Sequence, residues 1–282
     1  MATSSEESQS SGTSEKSGES GEKEKQSEAM ERQAASADVV YEAIRLEGEE
    51  ELERRSPALF WSGLAAGLAM GLSFLTMALF QAAIPPSSWR HAVAVLGYTV
   101  GFLFVVLGRQ QLFTENTLTP ILPLLQDWGK LPNVLRLWGV VLVANLLGAA
   151  AFAYVLGHTE LVGADVHAEL RAIAHEVFAP RAAVIFLRAI VAGWLIALMV
   201  WLLPGADSAK LAAIVVPTYL IALAHLAHSI AGSVDVLYLV FGAQASWGDY
   251  LHFFIPTLLG NVLGGVTLVA LLNHGQVEAG ES

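Results

Sequence analysis

The chain has 282 residues, of which 54% are hydrophobic and 15% charged, with a formal net charge of −11. Soluble domains carry about a quarter charged residues, so this composition, with a mean hydropathy of +0.54, is that of a membrane protein. The acidic balance argues against nucleic acid or anionic lipid as a partner, and the absence of cysteine excludes disulfides, thiolate metal sites and cysteine nucleophiles.

Residues 1–37 are Ser, Glu, Lys and Gly with almost no large apolar residue. Such a segment cannot bury enough surface to offset chain entropy and reads as a disordered acidic tail. It lacks the basic-then-apolar pattern of a leader, so it is expected to stay in the cytoplasm. Over 38–56, Val39, Val40, Ile44 and Leu46 alternate with Glu42, Arg45, Glu47, Glu49 and Glu50. This pattern predicts an amphipathic helix, either lying in the interface or packed on the helices that follow.

Crossing the hydrocarbon core takes about 20 apolar residues in a helix. The runs 58–84, 90–108, 133–157, 182–203, 209–229 and 251–273 meet that need. Two shorter runs, 118–125 and 234–243, each follow a long one after a polar interruption and read as second halves of discontinuous helices. The expectation is an all-α integral membrane domain over 57–274, with six transmembrane helices of which the second and fifth are broken at mid-membrane, then a short tail over 275–282. Arg54, Arg55, Lys130, Arg136 and Lys210 outnumber Arg90, Arg171 and Arg181, which places both termini inside. Residues 160–180 read as an amphipathic helix on the outer face.

An internal symmetry runs through this pattern. Ala144-Asn145-Leu146-Leu147-Gly148-Ala149 in the third span and Gly260-Asn261-Val262-Leu263-Gly264-Gly265 in the sixth share one wording, 116 positions apart (261 minus 145). The same shift carries the first break, near Thr114 and Glu115, onto Ile230 and Ala231 at the second. Three spans per repeat is an odd number, so the halves are expected as an inverted 3+3 repeat with its site at the midplane.

The breaks carry the candidate chemistry. Irregular backbone at membrane depth survives where it is buried in protein or lines a watery path. Around the first break, Asn116 and Thr117 are expected to cap the half-helix that Pro120 opens. At the second, His228 beside Ser229 has the chemistry to donate to an anion or pass a proton. The bland alternative is that these groups only satisfy opened backbone, and for His225 that reading is preferred. Four charged residues inside the spans need partners, and Arg109–Glu115 and Arg188–Asp235 are the expected structural pairs. No metal cluster, cofactor motif or nucleophile–base pair appears, so an enzyme is not expected.

Leu112-Phe113-Thr114 with Thr117-Leu118, His228-Ser229-Ile230-Ala231 and Gly260-Asn261-Val262-Leu263-Gly264-Gly265 together resemble the formate/nitrite transporter family over about residues 38–273. The wording from Gly108 to Leu118 looks like the family's YfdC-type branch. The resemblance implies an aquaporin-like protomer in a homopentamer of a bacterial inner membrane, without a cofactor, passing formate, nitrite or a related small monovalent anion, often with a proton. It assigns His228 to the central pore histidine, Leu112, Phe113 and Thr114 to the loop at the break, and Tyr98, Phe102, Leu112, Ile196 and Ile221 to apolar constrictions. Departures from the pattern are Gly232 in place of an asparagine, Ala227 in place of a polar residue, and no counterpart in 172–181 of an outer-vestibule lysine. Those departures leave open a pore for a small neutral solute, or a membrane scaffold with a vestigial pore.

Overall fold

The computed structural model describes residues 37–267 together with Gly275. The acidic tail, the end of the sixth apolar run and most of the C-terminal tail therefore lie outside the described residues. Among the described residues the secondary structure is helical, with no strand.

Helix α1 (Ala37–Glu53) turns Val40, Tyr41, Ile44, Gly48, Glu51 and Leu52 inward, a stripe with helical spacing. Its outer face carries Arg45 between Glu42 and Glu49, and Lys130 reaches Glu49 at 2.7 Å. Gly48 lets the helix rest on bare backbone, because a Cβ there would lie 2.1 Å from the carbonyl oxygen of Thr119.

The long helices follow the apolar runs. They are α2 (Ser56–Ala83), α3 (Arg90–Leu107, tightened to a 3-10 turn over Val95–Tyr98), α5 (Leu131–His158) and α7 (Ala182–Leu202). Pro57 opens α2 and Pro132 opens α5, where a missing N–H costs nothing. Among the described residues, four helical stretches are long and apolar enough to cross a membrane: Ser56–Ala83, Arg90–Leu107, Trp128–His158 and Ala182–Gly205. Their outward residues, among them Trp61, Phe104, Leu135 and Leu187, are exposed and apolar, as lipid requires and water penalises.

Two discontinuities stand where the sequence places them. The chain leaves α3 at Gly108, passes a 3-10 turn over Glu115–Thr117 and resumes as the short α4 (Ile121–Gln126). Helix α8 (Lys210–Leu223) ends at Leu223, and α9 (Ala231–Phe241) begins after seven non-helical residues, 224–230. Helix α6 (Ala164–Phe178) precedes α7, and α10 (Trp247–Gly265) is opened by a Ser246–Asp249 capping box.

One asparagine holds each break. Asn145 on α5 accepts from the Phe113 N–H at 2.8 Å and donates to the carbonyls of Gly63 and Gln111. Asn261 on α10 accepts from the Ser229 N–H at 2.8 Å and donates to Ala189 and Ala227. Each amide thus satisfies two backbone groups that the break leaves open and ties the break to a carbonyl of an intact neighbouring helix, Gly63 on α2 or Ala189 on α7. Both asparagines are fully buried and sit where two helices come closest. A Cβ on Gly67 of α2 would meet the Asn145 carbonyl oxygen at 2.1 Å, and one on Gly193 of α7 would meet that of Asn261 at 2.3 Å. Arg109 and His225, again 116 apart, both take a left-handed φ of 49° where the chain turns out of its helix.

Candidate functional site

The two breaks bring Thr114 and His228 into contact. His228 is 2% exposed, and its Nε2 lies 2.8 Å from the Thr114 hydroxyl. Its other ring nitrogen, Nδ1, accepts from the Ala231 N–H at 3.1 Å, the first residue of α9. An accepting Nδ1 carries no proton, so in the neutral ring the proton sits on Nε2 and is donated to Thr114. The Thr114 oxygen is then an acceptor, and its own O–H is left to donate elsewhere. The helix start thereby fixes which tautomer meets the threonine.

Aromatic rings enclose this pair. Phe102 meets His228 edge-on with centroids 5.2 Å apart, and Tyr98 packs on Phe102 at 5.3 Å. Leu112, Ile196 and Ile221 are all fully buried. Phe113 is buried too, but its ring packs on Trp138 at 5.9 Å and lines a separate apolar groove between α5 and α10. Ser229 donates its backbone N–H to Asn261 and accepts at its carbonyl from the Ser233 hydroxyl, and its own hydroxyl is buried without a partner.

A narrow cavity of about 80 Å³ opens from His228 toward the end of the molecule that holds α6. Tyr98, Gly232, Asp235, Arg188 and Phe253 line it, and at its rim His91 and His225 stack 4.6 Å apart with Glu176 3.7 Å from His225. Phe253 escaped the sequence reading. It fills the place next to Gly232, where a Cβ would lie 2.4 Å from the Phe253 ring, so glycine at 232 is the counterpart of a phenylalanine one helix away. Long-range complementarity of that kind leaves no mark on a single sequence.

Neither expected charge pair forms among the described residues. Arg109 turns out of α3 with a left-handed backbone and is exposed, and the carboxylate its charge acts on is Glu47. Glu115 lies in the buried 3-10 turn, with one carboxyl oxygen lacking any hydrogen-bond partner. Arg188 and Asp235 both line the vestibule without an ion pair between them. Nor do Asn116 and Thr117 cap α4. Asn116 donates to the Gln111 side chain, and Thr117 donates back to the Thr114 carbonyl.

A second polar cluster lies beneath the first break. Glu51 of α1 accepts from the Gln111 amide at 2.9 Å and from the Thr119 hydroxyl. Trp138 donates to the Asn116 carbonyl at 2.7 Å. Burial pushes the Glu51 carboxyl up to about 7, against the opposing pull of the Thr119 and Gln111 hydrogen bonds. Glu47 is also raised by burial, with Arg109 pulling the other way.

Comparison with known proteins gives a consistent answer. A family model described as "Formate/nitrite transporter" matches residues 38–275. The "Inner membrane protein YfdC" of Escherichia coli (strain K12) is 41% identical over 244 residues, covering 86% of this chain and 79% of that one. The "Formate channel BtFdhC" of Bacillus thuringiensis is 28% identical over 243 residues, covering 83% of this chain and 90% of its own. Among solved structures, an "FNT family ion channel" superposes with a TM-score of 0.74 at 20% identity, over 85% of this chain and 98% of the other. A "Pentameric formate channel with formate bound" does so with a TM-score of 0.67 at 18% identity, over 79% and 98%.

Proposed function

Because the chain belongs to the formate/nitrite transporter family, we propose that it passes a small monovalent anion such as formate or nitrite, or the neutral acid, through a path narrowed at His228 and Thr114. The observation that carries this reading is the hydrogen bond between these two side chains, made across two helix breaks at the floor of a vestibule. Phe102 packs edge-on against His228, and Leu112, Ile196 and Ile221 are buried apolar residues that this reading assigns to the same constriction, where an unpaired anion meets a large desolvation cost. The Thr114 O–H is free to donate to an arriving oxyanion, and a proton joining the anion removes the cost of the apolar passage. Transport with a proton follows from that arrangement.

The finer organisation is part of the same proposal. Six spans in an inverted 3+3 repeat account for two breaks, two asparagine clamps and two left-handed turns, each related by 116 positions. The family relation and the pentameric structural neighbour support a homopentamer with a path in each protomer. The inner-membrane relative and the distribution of basic residues support a bacterial inner membrane location with both termini cytoplasmic.

Uptake of radiolabelled formate and nitrite into proteoliposomes, with and without an inward proton gradient, tests this. Uptake above empty liposomes that rises with the gradient and falls about a hundredfold in His228→Asn is the expected result. Intact oligomers that move neither anion would refute it.

A further inference from the structure

Asp235 has a setting that the transport reading above does not use. It stands on α9 in the stripe His228–Gly232–Asp235, at helical spacing, and all three residues line the vestibule. The middle position has no side chain, so the stripe carries nothing polar between the carboxyl and the imidazole. Asp235 is 6% exposed and has no ion pair among the described residues. A carboxyl inside a membrane domain that is neither ion-paired nor turned to the rim marks an ion or proton path by default. Its titratable and charged neighbours across the cavity are Tyr98 and His91 from α3, Arg188 from α7, Glu176 from α6, and His225 and His228 from the break. Helices α2 and α10 face the same space with Met77, Gln81 and Phe253, none of which titrates. Tyr98 is close enough to Asp235 for the two to interact electrostatically.

Resting on the proposed transport of an anion, we propose that Asp235 is the outer proton-exchange residue of this path, handing a proton to the anion in the vestibule before it enters the constriction. The step balances simply. The O–H bond of the Asp235 carboxylic acid breaks and an O–H bond forms on formate, giving formic acid and the Asp235 carboxylate. A hydronium ion from the vestibule water then restores the acid, so one proton from the outer solution accompanies each anion. Arg188, which lines the same cavity, attracts the anion without cancelling the carboxyl through a direct pair. The role falls to Asp235 rather than His228 because both ring nitrogens of His228 are already engaged, by Ala231 and Thr114.

The test uses the full chain in phosphatidylethanolamine–phosphatidylglycerol vesicles, following labelled formate and a trapped pH dye together, with empty vesicles subtracted. Asp235→Asn is expected to cut formate uptake and the matching proton uptake about tenfold or more at neutral outer pH. Uptake should recover toward the unmodified protein at acidic outer pH, where undissociated formic acid is already present, and Asp235→Glu should retain it. Equal uptake by Asp235→Asn at neutral pH would overturn the proposal. So would a loss that is the same at both pH values and unrelieved by Asp235→Glu, since that marks a structural role. Asp235→Ser replaces asparagine should the latter fail to give intact assemblies. If the unmodified protein moves neither formate nor nitrite, the transport reading falls and this inference with it; active unmodified protein with unaffected Asp235→Asn removes Asp235 alone.

Discussion

Thr114 has one side-chain oxygen, and it accepts the proton that Ala231 holds on the far nitrogen of His228. Thr114→Val keeps the shape and removes the hydroxyl, leaving the Nε2–H buried without an acceptor at a cost of about 1–3 kcal/mol. Formate uptake in proteoliposomes should fall about tenfold or more, while Thr114→Ser keeps most of it. Asn261 makes a sharper case for structure. Alanine there strands the Ser229 N–H and the Ala227 carbonyl and cuts the tie to Ala189 on α7 in one step. A loss of about 2 kcal/mol or more is expected from two such buried groups, read as a lowered unfolding temperature in detergent. The same substitution at Asn145 should cost a similar amount, because its three bonds match.

At the scale of elements, α1 is tied to the first break through a titrating group. Burial pushes the Glu51 carboxyl up to about 7, above its ordinary value of about 4.5, so the docked helix holds a proton that the free chain releases. The stabilisation this gives is complete below about 4.5 and is lost as pH rises through about 7. Amide hydrogen exchange in α1, corrected for its intrinsic pH dependence, should therefore show stronger protection on the acid side of neutrality, and Glu51→Gln should flatten that dependence. Close helix contact makes a second prediction. Gly67→Ala and Gly193→Ala each drive a methyl into the backbone of the asparagine opposite, and overpacking of this kind costs about 1–3 kcal/mol. Both variants should unfold at lower temperature with their helix content unchanged by circular dichroism.

For the whole molecule, the helices and their breaks were legible from the sequence because length and apolarity are local properties. The runs at 58–84, 133–157 and 182–203 became α2, α5 and α7, and the polar interruptions became gaps in helix. The shift of 116 positions was legible as wording, and it reappears as matched hydrogen bonds on Asn145 and Asn261. Charge partners were not legible. Arg109 and Glu115 are six residues apart, yet the turn between them sends one outward and the other into the interior. Phe113 likewise stands in the loop at the break but points its ring at Trp138, since alternate residues of an irregular segment face different walls.

What the sequence determined by itself is the class of molecule: a membrane domain of long apolar helices, interrupted twice, with His228 and Thr114 at the interruptions. Hydrophobic length and the demand that backbone polar groups be satisfied in lipid permit little else. Tertiary structure alone decided which side chains meet there. It joined Nε2 of His228 to Thr114, set Phe253 against Gly232, and left Asp235 facing the vestibule without the arginine expected for it. Those outcomes depend on how helices far apart in the chain cross and rotate, and side-chain packing at that range is a property of the folded whole.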